Sequence, residues 1–176
     1  GEYTIERRMM LHAEGMCNGK PVSAYATNEI SISRGLSQRM IALDALVGGT
    51  LVDHYIADGV VLASPTGSTA YSLAAGGPIL MPDSRSLVIT PICPHALTSR
   101  PLVVCDSCRL SVRLRVRPGA EMLEVFADGA SLGSLTEGTE LAVEKASVGV
   151  PLVELVGYDP YEVLNRKLGW SGSAIR

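Results

Sequence analysis

The segment from Asp58 to Pro78 concentrates residue types that can bind a phosphate or a nucleotide. It reads DGVVLASPTGSTAYSLAAGGP. The loop Pro65–Thr69 supplies hydroxyl groups and the free backbone N–H groups of a helix start, which favour anions. Gly67 lets a ligand approach the backbone, and Tyr71 lies where its ring could stack on a nucleotide. A capped turn without any ligand accounts for the same residues, because Ser and Thr are common N-caps.

Other polar residues interrupt apolar runs elsewhere in the sequence. Asn28 and Glu29 stand within the strand-like run Val22–Ser33. A carboxylate on the apolar side of a strand needs hydrogen-bond partners, whereas a strand end or bulge would leave it in solvent. Asp58 and Asp128 each precede a glycine and are also typical of ordinary turns.

Composition and charge exclude several other functions. The 176 residues include 15 Lys and Arg against 18 Asp and Glu, giving a net charge of −3. A nucleic-acid binder needs a basic surface, and the glycines are not followed by the lysine of a P-loop. The C-x-x-C of Cys105 and Cys108 lacks the second ligand pair of a structural zinc site. Four cysteines and no targeting signal predict a reduced, cytoplasmic protein with no membrane partner.

Short strands separated by turns must position these residues. Gly48-Gly49 predicts a hairpin between Met40–Val47 and Thr50–Ile56, and Val60–Ala63 is apolar enough for a strand buried on both faces. Asp128-Gly129 predicts a second tight hairpin. Further strands are predicted at Leu87–Thr90, Pro101–Val104, Arg109–Val116, Met122–Ala127, Thr139–Lys145 and Leu152–Val156.

One or two short helices complete the predicted fold. One covers about Ser68–Ala75, before Gly76-Gly77, and the other covers about Tyr161–Leu168 and ends at Gly169. Many strands with two brief helices predict a mainly β domain of two packed sheets. The arginines of Arg109–Arg117 alternate with apolar residues, which predicts a solvated sheet face.

Four motifs resemble the NAD kinase family. Ser64–Pro78, reading SPTGSTAYSLAAGGP, is similar to the hallmark motif of that family. Ile89–His95, reading ITPICPH, resembles its second motif, and Thr27–Glu29 resembles its Asn-Glu motif. Leu164–Trp170 is similar to its C-terminal helix. The motifs occur in the family's order over nearly the whole chain.

The resemblance implies a two-sheet, β-sandwich-like C-terminal domain over residues 1–176. In the family, an N-terminal α/β domain carries a Gly-Gly-Asp-Gly-Thr loop whose aspartate is the catalytic base. Gly48-Gly49-Thr50 lacks that aspartate, so we expect no catalytic residue and no metal ligand in this chain. The C-terminal helix, about 160–169, is expected to dock on the N-terminal domain. The isolated chain is expected not to catalyse at a normal rate.

The resemblance also implies which residues bind NAD. Asn28 and Glu29 would contact the ribose and adenine region. Asp58 would contact the nicotinamide end or a ribose, including one bound by a neighbouring subunit. The adenosine pocket and the positions beside the ligand would comprise Thr66, Thr69, Ala70, Tyr71, Ala74 and Cys93.

Four further positions are candidates with departures or weaker matches. Ile56 stands where many family members have a basic residue, and Arg39 falls near a variable contact position. Asp128 and Gly129 match the family's later Asp-Gly turn near the active site. Ala74 itself replaces the usual serine of the hallmark motif.

The implied reaction is phosphoryl transfer to the adenosine ribose 2′-hydroxyl of NAD, giving NADP. ATP or inorganic polyphosphate would be the donor, with Mg²⁺, and a homodimer or tetramer is expected. One alternative is a related lipid kinase of the diacylglycerol or sphingosine type, which lipid binding would identify. Another is a non-catalytic module for nucleotide sensing or oligomerisation, favoured if the whole protein lacks the Gly-Gly-Asp-Gly-Thr aspartate.

Overall fold

Two antiparallel six-stranded sheets make up most of the fold. The computed structural model describes residues 2–37, 39–115 and 122–169. The first sheet has the order β2-β1-β12-β9-β4-β5 and the second the order β11-β10-β3-β6-β7-β8. The strands are β1 (Tyr3–Cys17), β2 (Lys20–Ala26), β3 (Glu29–Ser33), β4 (Ile41–Val47), β5 (Thr50–Ala57), β6 (Gly59–Ala63), β7 (Ser86–Ile92), β8 (Leu102–Cys105), β9 (Leu110–Leu114), β10 (Leu123–Ala127), β11 (Ala130–Leu135) and β12 (Glu140–Leu155).

The main core lies between the two sheets, within a compact unit of residues 8–150. Alternate residues of each strand point inward, as the period of a half-buried strand requires. The largest fully buried side chains come from both sheets and are Leu11, Ile30, Ile32, Leu43, Leu62, Leu87, Ile89, Leu110, Leu123, Leu135 and Leu141.

Strand β6 is buried on both of its faces. Val60 and Leu62 belong to the main core, whereas Val61 and Ala63 join a second apolar cluster on the outer face of the sheet. The chain between β6 and β7 supplies Leu80 to that second cluster. The sequence prediction for this strand is therefore confirmed. The hydroxyl-rich segment that follows the strand packs next to the second apolar cluster.

A second compact unit contains residues 2–7, residues 151–169 and the longer helix α2 (Pro160–Leu168). Asp159 caps this helix by accepting from the backbone N–H groups of Tyr161 (2.8 Å) and Glu162 (3.4 Å). Gly169 ends it with a φ of 66°, so the predicted helix is confirmed. Trp170, at the end of the predicted motif, lies outside the described residues. Neither helix in the described ranges has the length and hydropathy needed to cross a membrane.

Both predicted two-residue hairpins are confirmed. Val47 pairs with Thr50 around Gly48-Gly49, whose φ angles are 58° and 81°. Ala127 pairs with Ala130 around Asp128-Gly129 at 45° and 81°. Positive φ at both central positions is the signature of a turn whose twist matches the strands.

Four predicted elements differ from the structure. Val22–Ser33 is not one strand, because it divides into β2 and β3, which belong to different sheets. The strands predicted at Thr139–Lys145 and Leu152–Val156 are parts of the single strand β12. The helix predicted at Ser68–Ala75 is a 3₁₀ turn, Thr66–Thr69, followed by the one-turn helix α1 (Tyr71–Ala74).

The arginines on and beside strand β9 are exposed, as predicted. Arg109 pairs with Glu144 (3.1 Å) and Arg113 with Glu140 (2.7 Å). Just after the strand, Arg115 pairs with Asp44 at 3.2 Å. Val116 and Arg117, at the end of the predicted strand, lie outside the described residues. These ion pairs account for Arg109, Arg113 and Arg115 without a nucleic-acid ligand.

Candidate functional site

The loop after β6 packs directly on the backbone of the Asn-Glu motif. Ser64 N–H donates to Asn28 O (2.9 Å), and Ser64 Oγ donates to Thr27 O (2.5 Å). Gly67 N–H donates to Ser64 Oγ (3.1 Å). A Cβ on Gly67 would lie only 2.0 Å from Asn28 O. The glycine is therefore required for this backbone contact, and hydrogen bonds join the loop to the motif.

Asp128 holds the same motif from the other side. Its Oδ2 accepts from Thr27 N–H at 2.6 Å, and its Oδ1 accepts from Asn28 N–H (2.9 Å) and Glu29 N–H (3.0 Å). Asp128 adopts a φ of 45° in the hairpin it shares with Gly129. The predicted Asp-Gly turn thus lies at the site, where the carboxylate binds three backbone amides.

The Glu29 carboxyl group lies half-buried at the start of β3. Its Oε2 atom is buried and has no hydrogen-bond partner among the described residues. Burial raises the pKa of Glu29, and the nearby negative charge of Asp128 adds to the rise. A hydrogen bond from the Tyr71 backbone N–H opposes this rise in pKa. The site thus presents a partly desolvated carboxyl with an unused acceptor atom.

Three serines hold the hydroxyl-rich segment in place. Ser64, Ser68 and Ser72 are fully buried. Ser68 Oγ donates to Pro65 O (2.6 Å) and accepts from Leu80 N–H (2.9 Å). Ser72 Oγ forms a hydrogen bond with Thr90 Oγ1 of β7 (2.9 Å). Sequence reasoning did not separate these serines from the neighbouring threonines. Their four-residue spacing is the signal that could have identified them as one buried face.

Four of the predicted hallmark residues face outward from this support. Thr69, Ala70 and Ala74 are exposed, and Tyr71 is 41% exposed. The Thr66 hydroxyl oxygen is buried without a hydrogen-bond partner in the described part of the chain. Seven predicted positions therefore form one group, here called the Asn-Glu group, comprising Asn28, Glu29, Thr66, Thr69, Ala70, Tyr71 and Ala74.

A second group of predicted residues lies at the opposite end of β6. Asp58 immediately precedes that strand, and its backbone N–H donates to Ile92 O at 2.9 Å. Ile56 O accepts from His95 N–H at 2.8 Å. Cys93 follows β7 directly, is exposed and has a φ of 46°. Asp58, Ile56 and Cys93 are therefore brought together on neighbouring chain segments.

Arg34 is a member of this second group that sequence reasoning missed. Its Nε lies 2.8 Å from Asp58 Oδ1, and its backbone N–H donates to Asp58 O (3.0 Å). The Arg34-Gly35 pair after a predicted strand was the available signal. Arg39 is exposed in the loop that follows, and its backbone N–H donates to Ser37 Oγ (3.1 Å).

The two groups are separated by the length of strand β6. Glu29 pairs with Ala63 at one end of the strand and Ser33 with Gly59 at the other. At the usual rise per residue, this separation is about 13 Å. The predicted site residues thus form two clusters at the two ends of β6.

Comparisons with known proteins identify the family. The family profile described as the ATP-NAD kinase C-terminal domain matches residues 27–155. The chain is 43% identical over 169 residues to the NAD kinase of Symbiobacterium thermophilum, covering 96% of this chain and 59% of that protein. It is 42% identical over 169 residues to the NAD kinase of Desulforamulus reducens, covering 96% and 58%. The chain thus spans slightly under three fifths of the length of these relatives.

Two solved structures share the fold. Yeast NADH kinase complexed with NADH superposes with a TM-score of 0.88 at 32% identity, over 98% of this chain and 50% of that one. An NAD kinase from Archaeoglobus fulgidus in complex with ATP superposes with a TM-score of 0.74 at 27% identity, over 96% of this chain and 61% of that chain. The two-sheet fold is confirmed, and the chain belongs to the NAD kinase family, in which it corresponds to the C-terminal domain.

Proposed function

We propose that this chain forms the NAD-binding part of an enzyme that phosphorylates NAD to NADP. The observation that carries the proposal is the half-buried Glu29 carboxyl, whose Oε2 has no hydrogen-bond partner in the described ranges. A buried polar atom without a partner is costly, so its position favours a ligand that donates hydrogen bonds there. The two hydroxyls of a ribose are such donors.

The Asn-Glu group provides the other contacts that a bound adenosine needs. Glu29 would accept from the ribose hydroxyls, and the Asn28 amide would bind the adenine region. The exposed ring of Tyr71 would stack on the base, and the buried Thr66 hydroxyl would accept or donate a hydrogen bond beside it. Because the backbone beneath is fixed by Asp128 and Gly67, the acceptor would be bound without reorganising the site.

In the proposed reaction, the adenosine ribose 2′-oxygen attacks the γ-phosphorus of ATP. The bond between that phosphorus and the bridging oxygen breaks, ADP leaves, and the hydroxyl proton passes to a general base. We assign that base to the Gly-Gly-Asp-Gly-Thr motif of an N-terminal domain, since Gly48-Gly49-Thr50 forms a hairpin turn without a carboxylate. Inorganic polyphosphate is a second possible donor. The chain by itself is then expected not to produce NADP at a normal rate.

Mg²⁺ would enter with the donor phosphates. In residues 2–37, 39–115 and 122–169, no group of three or more His, Cys, Asp or Glu side chains could hold a metal ion. Bound to the donor, Mg²⁺ would neutralise charge on the transferring phosphoryl group. This chain would contribute the positioning of the acceptor hydroxyl.

Assembly would complete the enzyme. We propose that helix α2, at about 160–169, docks on the enzyme's own N-terminal domain, and that the protein forms a homodimer or tetramer in the cytoplasm. No residue of α2 is buried in the structure, so its apolar side chains are available for such a contact. The second group, which contains Arg34 and Asp58, would bind the nicotinamide end of NAD, including an NAD bound by a neighbouring subunit.

Calorimetric titration of NAD, then of NADP, into the purified protein tests the proposal. We expect Tyr71→Ala and Glu29→Gln each to weaken binding about tenfold, equivalent to 1.4 kcal/mol. Tyr25→Ala is the matched control, because Tyr25 is similarly exposed, at 51%, but lies on the first sheet. Equal binding by the Tyr71 and Tyr25 variants would contradict the proposed site. Binding of diacylglycerol vesicles without nucleotide binding would favour a lipid kinase instead.

A further inference from the structure

The C-x-x-C sequence lies in a tight turn between the two sheets. Cys105 ends β8 of the second sheet, and Cys108 stands just before β9 of the first. Cys108 N–H donates to Cys105 O at 3.0 Å, which closes a four-residue turn. Such turns bring their end Cα atoms within about 7 Å, and disulfides join Cα atoms about 4.4–6.8 Å apart. The backbone thus holds the two Cα atoms at a separation that a disulfide can span.

The two cysteines of this turn differ in environment. Cys105 is exposed, and Ser107 Oγ donates to its sulfur at 3.2 Å. Hydrogen bonds from the Ser107 hydroxyl and backbone N–H lower the pKa of Cys105, which favours its reactive thiolate. Cys108 is half-buried and packs against the main core. One thiol is therefore open to an external oxidant, and the other is sheltered beside it.

The charges around the turn act on Cys105 in the opposite direction to the Ser107 hydrogen bonds. The Asp106 carboxylate next to Cys105 is bound by Lys145 Nζ at 2.5 Å. Asp106 itself opposes thiolate formation, by its charge and by accepting from the Cys105 thiol at 3.7 Å, but the two hydrogen bonds from Ser107 outweigh it and the pKa of Cys105 is lowered.

The two remaining cysteines cannot replace either partner. Cys17 is buried. Cys105 pairs with Ser86 at the start of β7. Cys93 lies just beyond the other end of that strand. Seven strand residues separate those positions by about 20 Å, well outside disulfide reach.

We propose that Cys105 and Cys108 form a redox-sensitive dithiol site that closes to a reversible intrachain disulfide, separate from the nucleotide site. The oxidant is a low-molecular-weight disulfide. The Cys105 thiolate attacks one of its sulfurs, forming a mixed disulfide and releasing one small thiolate. The Cys108 thiolate then attacks the Cys105 sulfur, forming the intrachain bond and releasing the second small thiolate. Two electrons pass to the oxidant, and the two protons from the cysteines convert its halves to thiols.

Equilibration of the whole protein in glutathione redox buffers tests this site. The reduced protein is incubated at a series of ratios of oxidised to reduced glutathione, quenched in acid, alkylated and analysed by peptide mass spectrometry. We expect the peptide with Cys105 and Cys108 to lose two hydrogen atoms and carry no glutathione. Cys108→Ser should stop at a glutathione adduct on Cys105, and reduction with dithiothreitol should restore both thiols.

Two controls separate the site from ordinary thiol oxidation. Cys93 is exposed but has no second cysteine within reach, so it should stop at the mixed disulfide in the same sample. Ser107→Ala should slow the first step at Cys105 several-fold and leave the rate at Cys93 unchanged, since it removes the hydroxyl that stabilises the thiolate. This variant removes only one exposed hydroxyl, so it tests the site without changing either cysteine.

Three results would overturn the inference. In the first, wild-type Cys105 accumulates the glutathione adduct without closing. In the second, Cys105 and Cys93 react at the same rate with and without Ser107→Ala. In the third, the oxidised species is a disulfide-linked pair of chains on a non-reducing gel.

Discussion

Replacing Asp128 tests how the Asn-Glu motif is held. Its two carboxylate oxygens accept from the backbone N–H groups of Thr27, Asn28 and Glu29. Asp128→Ala removes all three hydrogen bonds. Asp128→Asn keeps Oδ1 as an acceptor for two of them, but its amide nitrogen opposes Thr27 N–H. The two variants should therefore differ strongly, although both remove the same charge.

The magnitude follows from the hydrogen bonds and the backbone angle. Because Asp128 is exposed, water replaces part of each lost bond, so we take about 1 kcal/mol for each. Alanine at a φ of 45° adds about 1 kcal/mol, a strain that asparagine tolerates. We expect Asp128→Ala to lower the free energy of unfolding by about 4 kcal/mol, and Asp128→Asn by about 1 kcal/mol.

Urea denaturation and NAD titration provide the two measurements. The midpoints of unfolding give the two free-energy differences, and calorimetry gives NAD affinity under conditions in which each variant is folded. Asp83→Ala, in an exposed turn, controls for loss of a surface carboxylate. The reasoning is refuted if the alanine and asparagine variants are destabilised equally, or if Asp128→Ala unfolds at the wild-type midpoint.

Three further predictions concern neighbouring contacts. Gly67→Ala should destabilise by about 2 kcal/mol and abolish NAD binding, because its Cβ would overlap Asn28 O; a wild-type melting temperature together with wild-type affinity would contradict this. Burial raises the pKa of Glu29 above 4.5, so the folded chain retains that proton and its stability should fall as pH rises through the folded pKa. Urea midpoints from pH 4.5 upward should show this slope in the wild type and lose it in Glu29→Gln; parallel curves would refute it. Lys145 lowers the pKa of Asp106 below 3.8, so Asp106→Asn should melt below the wild type at pH 7, with the difference vanishing as pH falls below 3.8. A melting difference that does not change with pH would show that the ion pair contributes nothing.

Local signals account for the parts of the fold that sequence reasoning predicted. Three such parts are the Gly48-Gly49 hairpin, the doubly buried β6 and the Asp159-capped helix α2. Each depends on residues that are neighbours in sequence, so its pattern can be recognised from the sequence alone. The continuity of β12 was missed, because it depends on pairing with strands far away in sequence.

The candidate site shows the same difference between features set by residues near in sequence and features set by distant residues. The Asn-Glu group was predicted because its residues lie in two short motifs that resemble a family. The role of Asp128 in binding backbone amides was not predicted, since its partners lie about 100 residues earlier. Arg34 was missed because its partner, Asp58, lies on a different strand connection.

The Asp128 hydrogen bonds also determine when the site can form during folding. They close a chain loop of 101, 100 and 99 residues to three consecutive amides, and contacts of such sequence separation are slow to form. The Asn-Glu segment leaves the ribosome long before Asp128 is synthesised. We therefore expect nascent chains that end before Asp128 to have no fixed nucleotide site. NAD affinity would then report completed folding of both sheets rather than the presence of the motif.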